Sequence, residues 1–197
     1  ALNESLITTI AACGDVERNV MATPTPSTSP LVDEVIEQAT KLSDALAPAT
    51  RAYHKIWLEG QALELNERQD FVDPLYGKQY LPRKFKTAFA IPPLNDVDIF
   101  TNDLGFIVIK DGERLAGYNL IAGGGMGMSH NNPATYPRLA DHLGFCRPDQ
   151  VVDIAEKIVT TQRDYGDRSD RKHARLKYTI QDHGIAWFRN EVETRLG

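Results

Sequence analysis

The chain holds 197 residues, 42% hydrophobic and 25% charged, a balance that suits a soluble globular protein with one good-sized core. Its net charge of -5, from 22 Lys+Arg against 27 Asp+Glu, gives no global case for nucleic acid or for an anionic membrane surface. The opening "ALNESLITTI" has no initiator Met, basic leader or long apolar run, which excludes a signal peptide or membrane span there and suggests a single domain, 1–197, cut from a longer chain.

In chain order, residues 3–12 read as a helix with Leu6, Ile7 and Ile10 on one side, stopped at "CGD". There Gly14 suits a helix C-cap, Asp15 a cap for the next segment, and Arg18-Asn19 a surface turn. "MATPTPSTSP", 21–30, is a proline-rich loop. Leu31 to Leu46 carries apolar residues at helical spacing with acids early, an amphipathic helix. The alternation in 53–60 predicts a strand, 61–82 is irregular, and a second strand is expected from about Lys84 to Ile91, ended by Pro92-Pro93. "GFIVIKDGERLAGYNLIAGGG" is the plainest signal: two apolar runs joined through Lys110-Asp111-Gly112-Glu113, a hairpin with Asp-Gly at its turn. Helices are expected over 151–161, 171–183 and 185–195. The expected fold is therefore α+β, with a mixed or antiparallel sheet covered on one face by helices.

Charge is uneven along the chain. From Lys78 to Ile91 stand four cations (Lys78, Arg83, Lys84, Lys86) and no acid, and from Arg163 to Lys177 six cations against three acids, 6 − 3 = +3. In "PRKFKTAF", a strand period of two puts Lys84 and Lys86 on one face and Phe85 on the other. Two like charges side by side repel unless solvent or an anion shares the face; a solvated edge strand and an anion site are both open on position alone. "NLIAGGGMGMSHNN" supplies unencumbered backbone N–H groups and permits close approach to something flat or anionic. It lacks the Gly-Lys-Ser/Thr of a phosphate loop and the spacing of a dinucleotide fold, which disfavours a nucleotide binder. Ser129 and His130, as neighbours on an extended chain, point apart and do not form a catalytic pair. The six cations of 163–177 also suit a salt-bridged helix surface, with Asp164, Asp167 and Asp170 as partners.

Cys13 and Cys146 stand far apart, without the Cys-x-x-Cys spacing of a metal or cluster site, which fits a reducing compartment. The five histidines form no His-x-x-x-His pair, so no metal site is expected within this chain.

Taken together and in order, "CGDVERNV", "YLPRKFKTAFAIPPLNDVDIFTNDLGF", "GYNLIAGGG" and "VTTQRDYGDRSDRKHARLKYT" resemble the middle, sirohaem- and substrate-contacting domain of the assimilatory sulfite reductase haemoproteins, over nearly the whole chain. Related nitrite reductases share the lysine strand and the glycine loop, and the "CGDVxRN" form favours sulfite. The resemblance implies six-electron reduction of sulfite to sulfide at sirohaem coupled to a 4Fe-4S cluster, in a cytoplasmic enzyme, or in the plastid stroma of a plant or alga. It places Arg18, Lys84 and Lys86 around the substrate anion as catalytic residues, and Arg83, Asn19, Arg163 and Arg171 among the cofactor-binding residues. Gly123, Gly124 and Gly125 would let the main chain pass near the ring or its neighbouring domain. Arginine suits bidentate contacts to carboxylates and lysine a compact charge and proton donor. The cluster cysteines of the family fall outside this sequence, so the chain alone is expected to hold no cluster, to bind sirohaem at best weakly and to be inactive. Its expected partners are sulfite (or nitrite), the remaining domains of the enzyme, and an electron donor, either ferredoxin or an NADPH flavoprotein, with no nucleic acid and no membrane. A non-redox anion-binding module on the same fold is the alternative from another class.

Overall fold

The computed structural model describes residues 14–49, 57–58, 61–62 and 72–197. In chain order these form β1 (Glu17–Met21), α1 (Pro30–Leu46), the two-residue strands β2 (Trp57–Leu58) and β3 (Gln61–Ala62), β4 (Phe85–Ala90), β5 (Leu104–Asp111), β6 (Arg114–Ala122), β7 (Asp141–Cys146), α2 (Val151–Tyr165), α3 (Leu176–His183) and α4 (Ile185–Leu196). A five-stranded sheet runs β1-β4-β5-β6-β7, parallel across β1, β4 and β5 and antiparallel from there to β7. Parallel neighbours require a crossover. The connection that includes α1 provides the first, and a loop with a short 3-10 turn at Ile99–Thr101 provides the second.

One face of the sheet is aromatic. Phe89 lies opposite Phe106, the rings stacked at 4.6 Å, and Tyr118 meets both edge-on at 5.4 and 5.7 Å. Val35 and Leu42 of α1, Ile154 and Ile158 of α2 and Phe188 of α4 close over this layer and complete the main core. The other face carries small side chains, with Ala88, Ala90 and Ile121 forming a second cluster with Val97 and Ile99. This α+β architecture, helices on one face of a mixed sheet, matches the sequence expectation. No described helix is long and apolar enough to cross a membrane.

Four local expectations change. Residues 17–21, expected to begin as a turn, are an edge strand, because β4 supplies the pairing partner for an otherwise polar segment. The proline-rich stretch is a loop only in its middle: Met21 ends β1, and Pro30 takes the first helical position of α1, where its missing N–H costs nothing. Strand β7 has no counterpart in the sequence expectation, since "DHLGFC" becomes a strand by pairing with β6. The helix expected over 171–183 begins only at Leu176. The hairpin stands as read, except that Asp111 pairs with Arg114 and the turn residues are Gly112-Glu113, with Gly112 at φ +62. The helix read at 3–12 and most of the strand read at 53–60 lie outside the described residues.

Phe89→Ala removes a ring from the centre of the aromatic layer and should cost about 3–5 kcal/mol, measured as a fall in the urea unfolding midpoint. An unchanged midpoint would contradict this placement.

Candidate anion-binding site

In β4 the side chains alternate: Phe85 is buried in the helix-covered core, and Lys86 turns to the opposite face, with Lys84 two residues before it on the same side. Both lysines line a cavity of about 350 Å³ together with Arg175, Met21 and Met126 and two carboxylates, Asp96 and Asp98. A larger cavity of about 430 Å³ lies between β7 and α4, but its one arginine, Arg189, is spent on the carbonyls of His142 and Leu143. Convergent cations distinguish the smaller one.

Asp103, just before β5, is completely buried behind these cations. One nitrogen of Arg175, Nη2, donates to both of its carboxylate oxygens at 2.9 Å, and the Lys86 backbone N–H also reaches it. Burial pushes the Asp103 carboxyl upward, and Arg175 and Lys84 pull it back. Burial, reinforced by Arg175, pushes the Lys84 ammonium down to about 8, with Asp103 opposing and Lys86 and Arg18 adding to the depression. Behind the strand, Glu17 is buried, accepts the Thr87 hydroxyl at 3.0 Å and the Asn19 N–H at 3.2 Å, and is pushed up to about 8 by burial. Glu17 and Asp103 are thus two buried carboxyls beneath a cationic face, and neither stood out in the sequence.

The remaining expected site residues divide. Arg18 is within electrostatic reach of Lys84 and Arg83, but its Nε donates to the Gly14 carbonyl at 2.9 Å and it does not line the cavity. Asn19 follows it on β1. Arg83 lies among Arg171, Arg18 and Arg175, and its burial and their charge depress its pKa. Arg171 is a bidentate partner of Asp15, at 2.8 and 2.9 Å, and stays largely exposed. Arg163 is brought elsewhere: its guanidinium holds Asp164 and the Leu75 carbonyl, tying α2 to the turn before β4.

The cation-rich segment 163–177 is therefore not one helix surface: Arg163 lies in the last turn of α2, Lys177 in the first turn of α3, and the cations between them lie outside both helices. Of its expected local pairs, Arg163–Asp164 forms, whereas Arg171, Arg175 and Lys177 each clamp a distant part of the chain. Lys177 is fully buried, with Nζ donating to the carbonyls of Gly127 at 2.8 Å, Gly125 at 3.2 Å and Tyr136. The glycines answer to the same clamps. A Cβ on Gly124 would fall 2.2 Å from the Phe100 carbonyl oxygen, and one on Gly125 would fall 2.5 Å from Arg175 Nη1. Gly123, at φ +85, begins the turn. The close approach these residues permit is to their own chain.

The donor set suits a polyanion, with Lys84 and Lys86 at the start of β4 and Arg175 before α3 lining one cavity and Arg18 of β1 within electrostatic reach. It does not suit an iron–sulfur cluster. Among the described residues no three His, Cys, Asp or Glu side chains gather as metal ligands, and Cys146 is buried with its thiol pushed up to about 12.

Comparison with known proteins gives the family. The chain belongs to the nitrite and sulphite reductase 4Fe-4S domain family, whose model matches residues 37–197. It is 55% identical over 196 residues to the sulfite reductase [NADPH] hemoprotein beta-component of Shouchella clausii, covering 100% of this chain and 34% of that protein. The hemoprotein beta-component of Myxococcus xanthus is 50% identical, with the same coverage. The chain thus spans about a third of the length of these relatives. Among solved structures, that of the Mycobacterium tuberculosis NirA protein superposes with a TM-score of 0.64 at 29% identity, over 93% of this chain and 28% of that one.

The buried groups set two titrations. Glu17 has a folded-state pKa raised from 4.5 to about 8, so it favours the fold fully below pH 4.5 and that contribution drains away as pH rises to 8. Glu17→Gln cannot ionise, so its urea midpoint relative to the parent should move in the variant's favour from pH 4.5 to pH 8; parallel curves would contradict the burial. Lys84 should gain reactivity toward an acylating reagent near pH 8, well below an exposed lysine, read by mass spectrometry of the labelled peptide. Reactivity only above about pH 10, where an ordinary lysine titrates, would contradict its environment.

Proposed function

We propose that this chain supplies the basic wall of the site in which a sulfite reductase hemoprotein reduces sulfite to sulfide. The observation that carries the reading is the pairing of Lys84 and Lys86 on the open face of β4, with Arg175 in the same cavity, in a chain more than half identical to proteins named for that activity. Sirohaem and a 4Fe-4S cluster belong to the full-length protein in this reading, and the bound sirohaem supplies the electrons to the sulfur. Arg18 and Arg83, with Asn19 beside them, are assigned to carboxylates and oxyanions on the β1 side, and Arg171 becomes available if it exchanges Asp15 for the cofactor. Arg163 and Gly123 to Gly125 act at one remove, by fixing α2 and the loop that carries the site.

The chemistry of the wall is a matter of charge. Sulfite presents negative oxygens, and fixed cations in a partly desolvated pocket stabilise charge building on them as the S–O bonds weaken. Lys86 holds an oxygen as a point charge. Lys84 is mostly protonated at neutral pH, and an ammonium whose pKa lies near 8 passes its proton to a departing oxygen far more readily than an ordinary lysine. The described residues offer no cluster ligands, so no step is assigned to them there. An NADPH-linked donor, in preference to ferredoxin, is the reading taken from the names of the relatives, and the cytoplasm is assigned with it.

Nitrite is the second reading, favoured by the family's description, and parallel assays with both anions distinguish the two. In the full-length protein, Lys86→Met should lower sulfite turnover by about tenfold or more, an effect of general acid–base and electrostatic size, while the visible bands of sirohaem persist. Unchanged turnover would remove Lys86 from the reaction.

A further inference from the structure

Arg175 is gripped in an unusual way. Asp103 accepts both of its hydrogen bonds from the same nitrogen, Nη2, so the guanidinium does not use its fork on the carboxylate. Nη2 also leans toward the Gly124 carbonyl at 3.4 Å, and Nε is buried without an acceptor among the described residues. The Nη1 group donates to no described residue and is not buried away, and it passes over Gly125 at a distance no side chain there would allow. The residue lines the same cavity as Lys84 and Lys86.

We infer that Arg175 presents Nη1 as a third donor to the oxyanion held by Lys84 and Lys86, and that Asp103 is the positioning residue that aims it. The inference rests on the function proposed above and deepens it. Asp103 is suited to the task because it is anchored on both sides. Its carboxylate takes the Lys86 N–H of β4, and its carbonyl accepts the Gly123 N–H at 2.9 Å. One residue therefore ties the lysine strand, the glycine turn and the arginine to a common frame. A guanidinium pinned at Nη2 can only pivot about that point, and Gly125 leaves the space in which Nη1 lies. Three donors, Lys84 just before β4, Lys86 within it and Arg175 before α3, then face a trigonal-pyramidal oxyanion with three oxygens.

The same carboxylate acts on Lys84. The groups that act on Lys84 most strongly are Arg175, Lys86 and Arg18, all unfavourable to its ammonium, and Asp103, which favours it, while Asp96 and Asp98 also line the cavity it shares. Neutralising Asp103 therefore lowers the Lys84 pKa further, by about one unit for an opposite charge lost at close range. A merely structural role would not move this quantity.

The test uses the full-length holoprotein, with sulfite binding by calorimetry beside steady-state turnover. Arg175→Gln should weaken sulfite binding roughly tenfold, the size of one charge-assisted hydrogen bond, and Arg175→Lys should recover part of it. Asp103→Asn should weaken binding similarly and shift the Lys84 labelling midpoint downward, and the double variant should be little worse than either single one, because both break one unit. Additive losses, or an unshifted Lys84 midpoint with weakened binding, would overturn the positioning role. If Asp103→Asn fails to fold, Arg175→Gln and Arg175→Lys decide alone, and sulfite affinity equal to the parent's in both overturns the inference. A parent protein that binds sulfite with this Arg175 dependence but does not reduce it would refute the proposed function and leave the inference standing.

Discussion

A carboxylate with no exposed surface persists only if something satisfies it, and Asp103 is satisfied by a guanidinium from 72 residues further along the chain. Breaking such a pair by removing one member typically costs about 3–5 kcal/mol, because the other is left buried and unpaired. The rest of the open face is arranged around this contact. Arg175 can reach Asp103 only because Gly124 and Gly125 let the turn after β6 lie flat against the 3-10 segment and the guanidinium. Lys177, two residues on, then caps the carbonyls of that turn and draws α3 in beneath it. Lys84 and Lys86 acquire their shared cavity from the same frame.

The two faces of the sheet therefore carry different burdens. The aromatic face, with Phe89, Phe106 and Tyr118 under three helices, supplies the apolar burial that drives folding. The other face has small residues near the middle of β4, a thin cover, and cations near its beginning. Concentrating like charges there is electrostatically unfavourable in the isolated chain, and the pKa values of Lys84 and Arg83 are depressed first by burial and then by their cationic neighbours. An anionic ligand relieves that repulsion. The buried carboxyl of Asp103, gripped by a guanidinium that cannot lose its proton, offsets part of it meanwhile, whereas Glu17 is held back from ionising by burial.

Legibility in the sequence tracks the range of the interactions. The helices at 30–46, 151–165 and 185–196 and the hairpin through Gly112 are set by local periodicity and turn chemistry, and so is the sharing of one face by Lys84 and Lys86. Strands β1 and β7 are made by their partners: Glu17 and Asn19 interrupt the apolar alternation, and "DHLGFC" is barely patterned. The pairs Arg175–Asp103 and Arg171–Asp15 join residues 72 and 156 positions apart, which no reading of neighbours brings together. Hence Arg171 and Arg163 read as free for a ligand, Arg175 as one member of a charged surface, and Asp103 carries no signal at all. The glycines are legible as points of close approach, but only the folded chain shows that it is the chain itself that approaches.

The most direct measurement is a crystal structure of the full-length holoprotein with sulfite bound. The anion is expected within hydrogen-bonding distance, about 2.7–3.2 Å, of Lys84 Nζ, Lys86 Nζ and Arg175 Nη1, with Arg175 Nη2 still on Asp103. An anion bound away from β4, or Lys84 and Lys86 turned from it into contacts with the rest of the protein, would contradict the assignment of this face as the site.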